Sequence, residues 1–202
     1  STNRAQDEVI WFYPSADSEE NNKYVAYDTV QNTWTVGTLA RTAWIDMNFQ
    51  YAPLAASADG KLLYHETGND DGEQNPPIAI NAYVESAPFE LSSEGSFDKG
   101  DKFIFVRRVL PDVTFYEYDG INTPQLTMTL KMMDKPGGGF TSSEGKPVSQ
   151  VTTVITGPEE FTDTLHVRLR GRSMTVRIES DTVGSYWRFG MPRFDARTDG
   201  QR

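Results

Sequence analysis

The feature that most constrains the fold of this sequence is a succession of short runs with alternating side chains, separated by turn residues. The run "KYVAYD" (23–28) is followed by a polar turn, "TVQN", and then by "TWTVGTL" (33–39), which is rich in β-branched residues. Asp28 and Asn32 suit the bend because their side chains hydrogen-bond local backbone and tolerate turn conformations. The segment therefore predicts an antiparallel hairpin.

A second hairpin follows, in which Ala58-Asp59-Gly60-Lys61 supplies an Asp-Gly turn between two strands. No segment shows a sustained helical period with capping residues, so we expect less than about a tenth of the chain to be helical. Apolar residues make up 37% of the sequence and aromatic residues 12%, which favours a globular chain over a disordered one. The sequence thus predicts an all-β protein.

The loop "GNDDGEQNPP" (68–77) indicates a boundary, and we assign residues 1–80 to a first region and 81–202 to a second. After the loop the apolar runs lengthen. Strands are predicted at 78–86, 102–118, 125–133, 149–157, 164–171, 172–180 and 185–197, with a long Gly-rich loop at 134–147. About seven strands joined by short turns predict an antiparallel β-sandwich or barrel for residues 81–202.

The pattern "YDxxxNxWxxG" (27–37) is similar to the hairpins in blades of kelch-like β-propellers, where a Trp packs between neighbouring sheets. By this comparison Trp34 and Trp44 are structural packing residues, buried between sheets. The alternative is a generic antiparallel hairpin with a core Trp. Residues 1–80 suffice for at most about two blades and a ring needs about four, so the first region is predicted to be an incomplete propeller.

The net charge of −10 is unevenly distributed. Residues 1–100 carry 16 Asp and Glu against 5 Lys and Arg, which gives −11, whereas residues 101–202 carry 13 against 14, which gives +1. An acidic first half argues against a nucleic-acid groove there, because binding phosphates requires cations. Such a surface still permits DNA to pass close by without binding, since like charges repel.

Catalytic and metal-binding motifs are weak in this sequence. It has no Cys, which excludes thiolate metal sites, and nothing local to His65 or His166 supports a metal site or a triad. The acidic stretch "NDDGE" (69–73) departs from the spacing of a Ca²⁺ loop and is interpreted as a solvated turn. We therefore predict no enzyme activity, no catalytic, metal or cofactor-binding residue and no cofactor.

The sequence also gives expectations about processing and membranes. No apolar run approaches the roughly 20 residues that cross a bilayer, and no secretory leader is visible, so no membrane span is expected. The chain begins at Ser1 without a Met, which indicates a processed, trimmed or partial chain.

The most unusual stretch is "HVRLRGRSMTVRIES" (166–180). Arg168, Arg170 and Arg172 have the same parity, so an extended strand places them on one face and Leu169 on the other. Such a row could meet phosphates or the carboxylates of a neighbouring subunit, or it could be an ordinary solvated face. In a chain of net charge −10, we favour a contact with an acidic subunit or partner over affinity for DNA.

Four segments together resemble the C-terminal portion of the tail-nozzle proteins of short-tailed bacteriophages, also described as tail-hub or packaged-DNA stabilisation proteins. They are "SEENNKYVAYDTVQNTWTVGTLARTAWID", "GKLLYHETGND", "FVRRVLPDVTF" and the stretch from 167 to 202, which ends in "WRxGxPRxDxRxDG". The resemblance covers nearly the whole chain. The N-terminal region of the family has no counterpart in this sequence, which leaves open whether the chain closes its own propeller.

The resemblance implies a structural virion protein of the tail, made in the host cytoplasm, with no catalytic residues to carry over. It implies a homo-oligomeric, hexameric ring below the tail adaptor, in contact with other tail proteins, through which packaged DNA is conducted and retained. DNA would pass through an acidic lumen without specific binding. Arg168, Arg170 and Arg172 would then lie at a subunit or adaptor contact.

Two other functions remain open at this point. One is an extracellular carbohydrate-binding or adhesin-type β module, for which Tyr51, Tyr64 and Trp187 are candidate exposed aromatic residues. The other is a fragment of a hydrolase on a propeller scaffold, which would require two close carboxylates that no motif identifies.

Overall fold

The structure is a computed structural model that describes residues 1–46, 52–73, 75–90, 102–117, 123–135, 149–157 and 163–201. These residues form strands and turns and contain no helix, so the predictions of an all-β fold and of low helix content are confirmed for them. The chain divides into two compact units, Ser1–Gly68 and Asn69–Arg202. The division falls in the predicted boundary loop, and it groups the residues from 69 to 80 with the second unit.

In the first unit, residues 1–46 and 52–68 form two antiparallel sheets. The four-stranded sheet has the order β1-β2-β3-β4 and the three-stranded sheet the order β5-β6-β7. Their strands are β1 (Thr2–Asn3), β2 (Glu8–Tyr13), β3 (Lys23–Asp28), β4 (Thr33–Thr38), β5 (Ala43–Ile45), β6 (Leu54–Ala56) and β7 (Leu62–Tyr64). Consecutive strands are neighbours throughout, so each sheet is a simple meander.

Both predicted hairpin turns are present in the first unit. Asp28 Oδ1 accepts the backbone N–H groups of Val30 and Gln31 at 2.8 Å each, and Asn32 adopts a φ of 57°. The second turn, between β6 and β7, has Gly60 at a φ of 85°, a conformation that residues with a Cβ rarely adopt. The turn chemistry of the sequence therefore fixes the register of both hairpins.

The described residues of the second unit form eleven strands. They are β8 (Asp70–Asp71), β9 (Ile78–Ala79), β10 (Ala82–Glu85), β11 (Lys102–Leu110), β12 (Val113–Glu117), β13 (Gln125–Met133), β14 (Gln150–Thr156), β15 (Leu165–Gly171), β16 (Ser173–Ser180), β17 (Tyr186–Phe189) and β18 (Arg193–Gln201). The main sheets are β10-β16-β13-β14 and β15-β11-β18, with β12-β17 and β8-β9 as two-stranded sheets.

One hydrophobic core joins the main sheets of the second unit. Alternate residues of β13 and β16 on one side and of β11 and β15 on the other are buried in a single cluster: Ile104, Val106, Val109, Val113, Leu126, Met128, Leu130, Met132, Ile155, Val167, Leu169, Met174, Val176 and Ile178. This two-layer arrangement is that of an antiparallel sandwich, and no sheet among the described strands closes into a barrel.

Three of the strand predictions were too long. The predicted strand 102–118 is broken between β11 and β12, because Pro111 lacks an N–H group and Asp112 has a φ of 56°. Asp112 accepts the backbone N–H of Gly190 at 2.8 Å and that of Met191 at 2.7 Å, and the predicted strand 185–197 is likewise broken there, between β17 and β18. The predicted strand 78–86 is interrupted between β9 and β10.

Candidate functional site

The four-stranded sheet of the first unit has one packed face and one exposed face. On the packed face Ile10 and Ala26 are buried, and Phe12 lies 5.6 Å from Trp44 between ring centroids. Trp44 also donates its indole N–H to the carbonyl oxygen of Thr2 at 3.1 Å and contacts the ring of His65. Trp44 is half-buried, in a packing role between the two sheets.

The other face of this sheet carries an aromatic and aliphatic surface, here called the aromatic face. Trp34 lies 4.7 Å from Tyr27 and 6.0 Å from Trp11 between ring centroids. Trp34 is 65% exposed and Trp11 47%. The strand register also places Tyr13, Val25 and Val36 on this face, which is thus defined by Trp11, Tyr13, Val25, Tyr27, Trp34 and Val36.

The prediction that Trp34 is buried between sheets is therefore wrong for this chain. Trp34 pairs with Tyr27 and shares its side of the sheet, whereas the buried side is that of Ile10 and Ala26. A period of two places every second residue of β4 on the aromatic face, and the described residues of the first unit do not cover it.

The predicted arginine row lies on the outer face of the sheet β15-β11-β18. Leu169 is 1% exposed, whereas Arg168 and Arg170 on either side of it are exposed, as the alternation predicts. Arg172 follows the end of β15 and is half-buried. The guanidinium carbons of Arg170 and Arg172 lie 4.0 and 4.9 Å from the ring centroid of Phe103, so the row continues past the strand.

Residues that the sequence analysis missed extend this row across the sheet. A β-bulge between Val106 and Arg108 leaves both Arg107 and Arg108 exposed. Arg107 donates one hydrogen bond to Asp195 Oδ2 at 3.0 Å, and Arg108 donates two to the same oxygen, at 2.6 and 2.8 Å. These hydrogen bonds lower the pKa of Asp195 below its usual value, and those from Arg108 have the larger effect. On β18, Arg197 lies over the ring of Phe105 at 5.3 Å.

The whole surface, here called the arginine face, comprises seven arginines and two aspartates among the described residues, which is a surplus of positive charge: Arg107, Arg108, Arg168, Arg170, Arg172, Arg193, Arg197, Asp195 and Asp199. A shallow depression of about 230 Å³ opens on it, lined by Phe105, Arg107, Asp195 and Arg197. The parity rule that identified Arg168 and Arg170 also applies to "RFDARTDG" (193–200), where arginine and aspartate alternate at every second position. That signal could have identified the contribution of β18.

Of the residues considered for chemistry, His65 and Asp70 have structural partners and His166 lies on an exposed surface. His65 Nε2 accepts the Nε–H of Arg41 at 3.0 Å in the first unit, and His166 is exposed on β15 in the second. Both carboxylate oxygens of Asp70 accept the N–H of Gly184 at 2.9 Å. Within the described ranges, no group of three or more His, Asp and Glu is placed to hold a metal ion.

A small group of carboxylates lies at the edge of the packed face of the first unit. Burial, followed by the negative charges of Glu66 and Asp28, raises the pKa of Glu8 above its usual value, and a hydrogen bond from Asn3 opposes that rise. Asn3 is fully buried and also donates to Glu66 at 3.1 Å. Asn3 thus hydrogen-bonds to the two carboxylates of Glu8 and Glu66, and so connects β1 to the segment that follows β7.

Comparison with known proteins adds no identification. No protein-family model matches the chain, and a search of curated proteins found no significant match. In the described parts of the chain, no helix has the length and apolar character to span a membrane.

Proposed function

We propose that this protein is a structural component of the virion of a short-tailed bacteriophage, forming part of a ring-shaped tail nozzle that conducts and retains packaged DNA. The aromatic face is the observation that carries this proposal. It is a contiguous apolar surface on a sheet whose other side already packs on a second sheet. Exposed apolar surfaces of this kind mark sites of interaction.

The arrangement of the first unit is that expected of two neighbouring blades at the open side of an incomplete propeller. In a propeller each blade packs both of its faces against neighbours. The sheet β5-β6-β7 covers one face of β1-β2-β3-β4, and the aromatic face is left for a further blade supplied by the assembled particle. The resemblance of the sequence to tail-nozzle proteins supports the same proposal.

The charge distribution supports a conduit whose wall does not bind DNA. We propose a homo-oligomeric, hexameric ring with a mainly acidic lumen, located in the tail and assembled from protein made in the host cytoplasm. Carboxylates repel phosphates over roughly a Debye length, about 8 Å at physiological salt. Arg168, Arg170 and Arg172 lie away from this lumen in the proposal, at contacts with another subunit, the tail adaptor or other tail proteins.

The proposal is tested by measuring the mass of the purified assembly together with negative-stain images and duplex-DNA binding. The expected result is a closed ring and only weak binding of DNA. A particle without a central channel would contradict the proposal. Tight, salt-sensitive binding of duplex DNA by the ring would contradict the acidic lumen.

A second candidate function is carbohydrate binding by an extracellular or adhesin-type module. The stacked rings of Trp11 and Trp34, with the tilted ring of Tyr27 beside them, favour it, because flat exposed aromatic rings are suitable platforms for sugar rings. Of the aromatics proposed from the sequence, Tyr64 is 49% exposed, Trp187 packs against the core, and Tyr51 lies outside the described residues. A glycan array with no hits would weigh against this function.

A further inference from the structure

Among the described residues, the arginine face has more arginines than aspartates. Arg107 and Arg108 share Asp195, and Arg170 is paired with Asp199 at 2.5 Å. Within the described part of the chain, the guanidinium groups of Arg168 and Arg197 have no carboxylate within ion-pair distance. The surplus charge is therefore available to an anion from outside this unit.

The arginines of this face are also held in place before any partner arrives. In the register of the sheet, Phe105 lies between Arg170 on β15 and Arg197 on β18. Arg197 lies over the Phe105 ring, and Arg170 over that of Phe103. Stacking on a ring holds a guanidinium flat and reduces the conformational entropy that binding would cost. Planar guanidinium groups match the two oxygens of a carboxylate.

A complementary surface lies on the first unit of the same chain. The loop at 15–22, between β2 and β3, exposes three carboxylates on Asp17, Glu19 and Glu20. No cation among the described residues lies within ion-pair distance of them. The loop is held closed by Asn22, whose Oδ1 accepts the N–H of Ser15 at 2.7 Å and whose Nδ2 donates to Ser15 Oγ at 2.9 Å.

We infer that the arginine face of one copy docks the 15–22 loop of a second copy, carboxylates against guanidinium groups. Charge complementarity selects this occupant, because the face is a cationic exception on a chain of net charge −10 and the loop supplies unpaired anions. A nucleic acid that reached the face would also approach the acidic remainder of the chain, which repels it. Because the two surfaces differ, the contact can repeat head-to-tail from copy to copy, as the proposed ring requires.

This inference rests on the proposed function in one respect: a head-to-tail contact that closes gives the ring of the nozzle, and one that does not close gives a filament. Charge reversal provides the test. The face variant is Arg168→Glu/Arg197→Glu, and the loop variant is Glu19→Lys/Glu20→Lys. Arg188→Glu is the control, since Arg188 is exposed on β17, away from the face, and has no ion-pair partner in the described residues.

Association of the full chain is measured by sedimentation velocity and native mass spectrometry at low ionic strength. Each double variant alone is expected to associate at least about tenfold more weakly than the wild type, because charges in a docked contact then repel. An equimolar mixture of the two variants is expected to regain association in alternating order, since each remaining contact joins opposite charges. The control is expected to behave like the wild type.

Three results would overturn the inference: a wild type that stays monomeric at every concentration, a face variant that associates normally, or a mixture that stays monomeric. Duplex-DNA binding that the face variant loses would assign the face to phosphate instead. The outcome for the nozzle is separate. If the face variant still formed rings, the docking contact would be wrong and the nozzle proposal would stand. If the wild type formed filaments that both variants lost and their mixture regained, the docking contact would be supported and the nozzle proposal contradicted.

Discussion

The two units differ in how much of their apolar surface they bury for themselves. In the second unit the sheets share a core of long aliphatic and Met side chains, several with no exposed surface at all. In the first unit the buried apolar residues among the described ones are Ile10, Ala26, Pro53 and Ala55, and two of its three tryptophans, Trp11 and Trp34, lie on the aromatic face. A unit this small gains little stability from its own core. The comparison shows a second unit with a substantial core of its own and a first unit with a small one, and under the proposed function the first unit is completed by association.

The largest expected effect is in the core of the second unit. Leu130 lies in the middle of β13, between β14 and β16, and is 1% exposed. Leu130→Ala removes buried methyl groups and leaves a cavity, so the free energy of unfolding is expected to fall by about 2–5 kcal/mol. Urea unfolding measures it. A loss of well under 1 kcal/mol would show that this core is not the source of the difference between the units.

A tight backbone contact gives the next largest effect. A Cβ on Gly171 would lie 2.7 Å from Met132 Cβ and 3.0 Å from the carbonyl oxygen of Met133. Gly171→Ala is therefore expected to destabilise the second unit by about 1–3 kcal/mol through overpacking. The matched control is Gly72→Ala, where a Cβ would meet nothing within 4 Å. Equal unfolding midpoints for the two variants would contradict the close approach of β15 to β13.

Trp34 tests the first unit. Because its ring is 65% exposed and its ring partners, Trp11 and Tyr27, lie on the same exposed face, Trp34→Ala in the unassembled chain is expected to cost about 1 kcal/mol or less. Thermal and urea unfolding give the value. A loss of about 3–5 kcal/mol, typical of a buried Trp, would show that the aromatic face is covered within the single chain. In the proposed ring, where the aromatic face is covered, the same substitution should weaken assembly more than it destabilises the monomer.

The smallest effect concerns Glu8. The pKa of Glu8 is raised in the folded state, chiefly by burial, so its ionised form costs stability above that pKa, and the cost is relieved as the pH falls through it. Glu8→Gln is expected to raise the urea midpoint slightly at neutral pH and to lose this advantage in acid. Glu19→Gln, in the exposed 15–22 loop, is the control. If the stability gained by Glu8→Gln increased toward acid pH, the pKa of Glu8 would be lowered rather than raised by folding.

Local patterns in the sequence predicted much of the fold, and long-range packing accounts for the rest. The strands β3 and β13 were predicted to the residue, because alternation and flanking turn residues are local signals. The corner at Asp112 was missed, since Asp112 is held by hydrogen bonds from Gly190 and Met191, which lie between β17 and β18 and are distant in the sequence. Periodicity also separates the two faces of a sheet without telling which is covered, and this is why Trp34 was assigned to the wrong environment.

The candidate surfaces show the same limit. Parity placed Arg168 and Arg170 together, but only the register of β18 against β11 brings Arg197 and Asp195 beside them. The bulge that exposes both Arg107 and Arg108 has no local signal in the sequence. The sequence therefore identified one row of the arginine face, and the sheet supplied the others.

Hydrogen exchange followed by mass spectrometry tests the difference between the units most directly. In a sample that native mass spectrometry shows to be monomeric, the account predicts that amides of β2, β3 and β4 exchange much faster than those of β13 and β16. On association the amides of β2, β3 and β4 should become protected while those of β13 and β16 change little. Equal, slow exchange of both sets of strands in the monomer would contradict the claim that the first unit is completed by its partners.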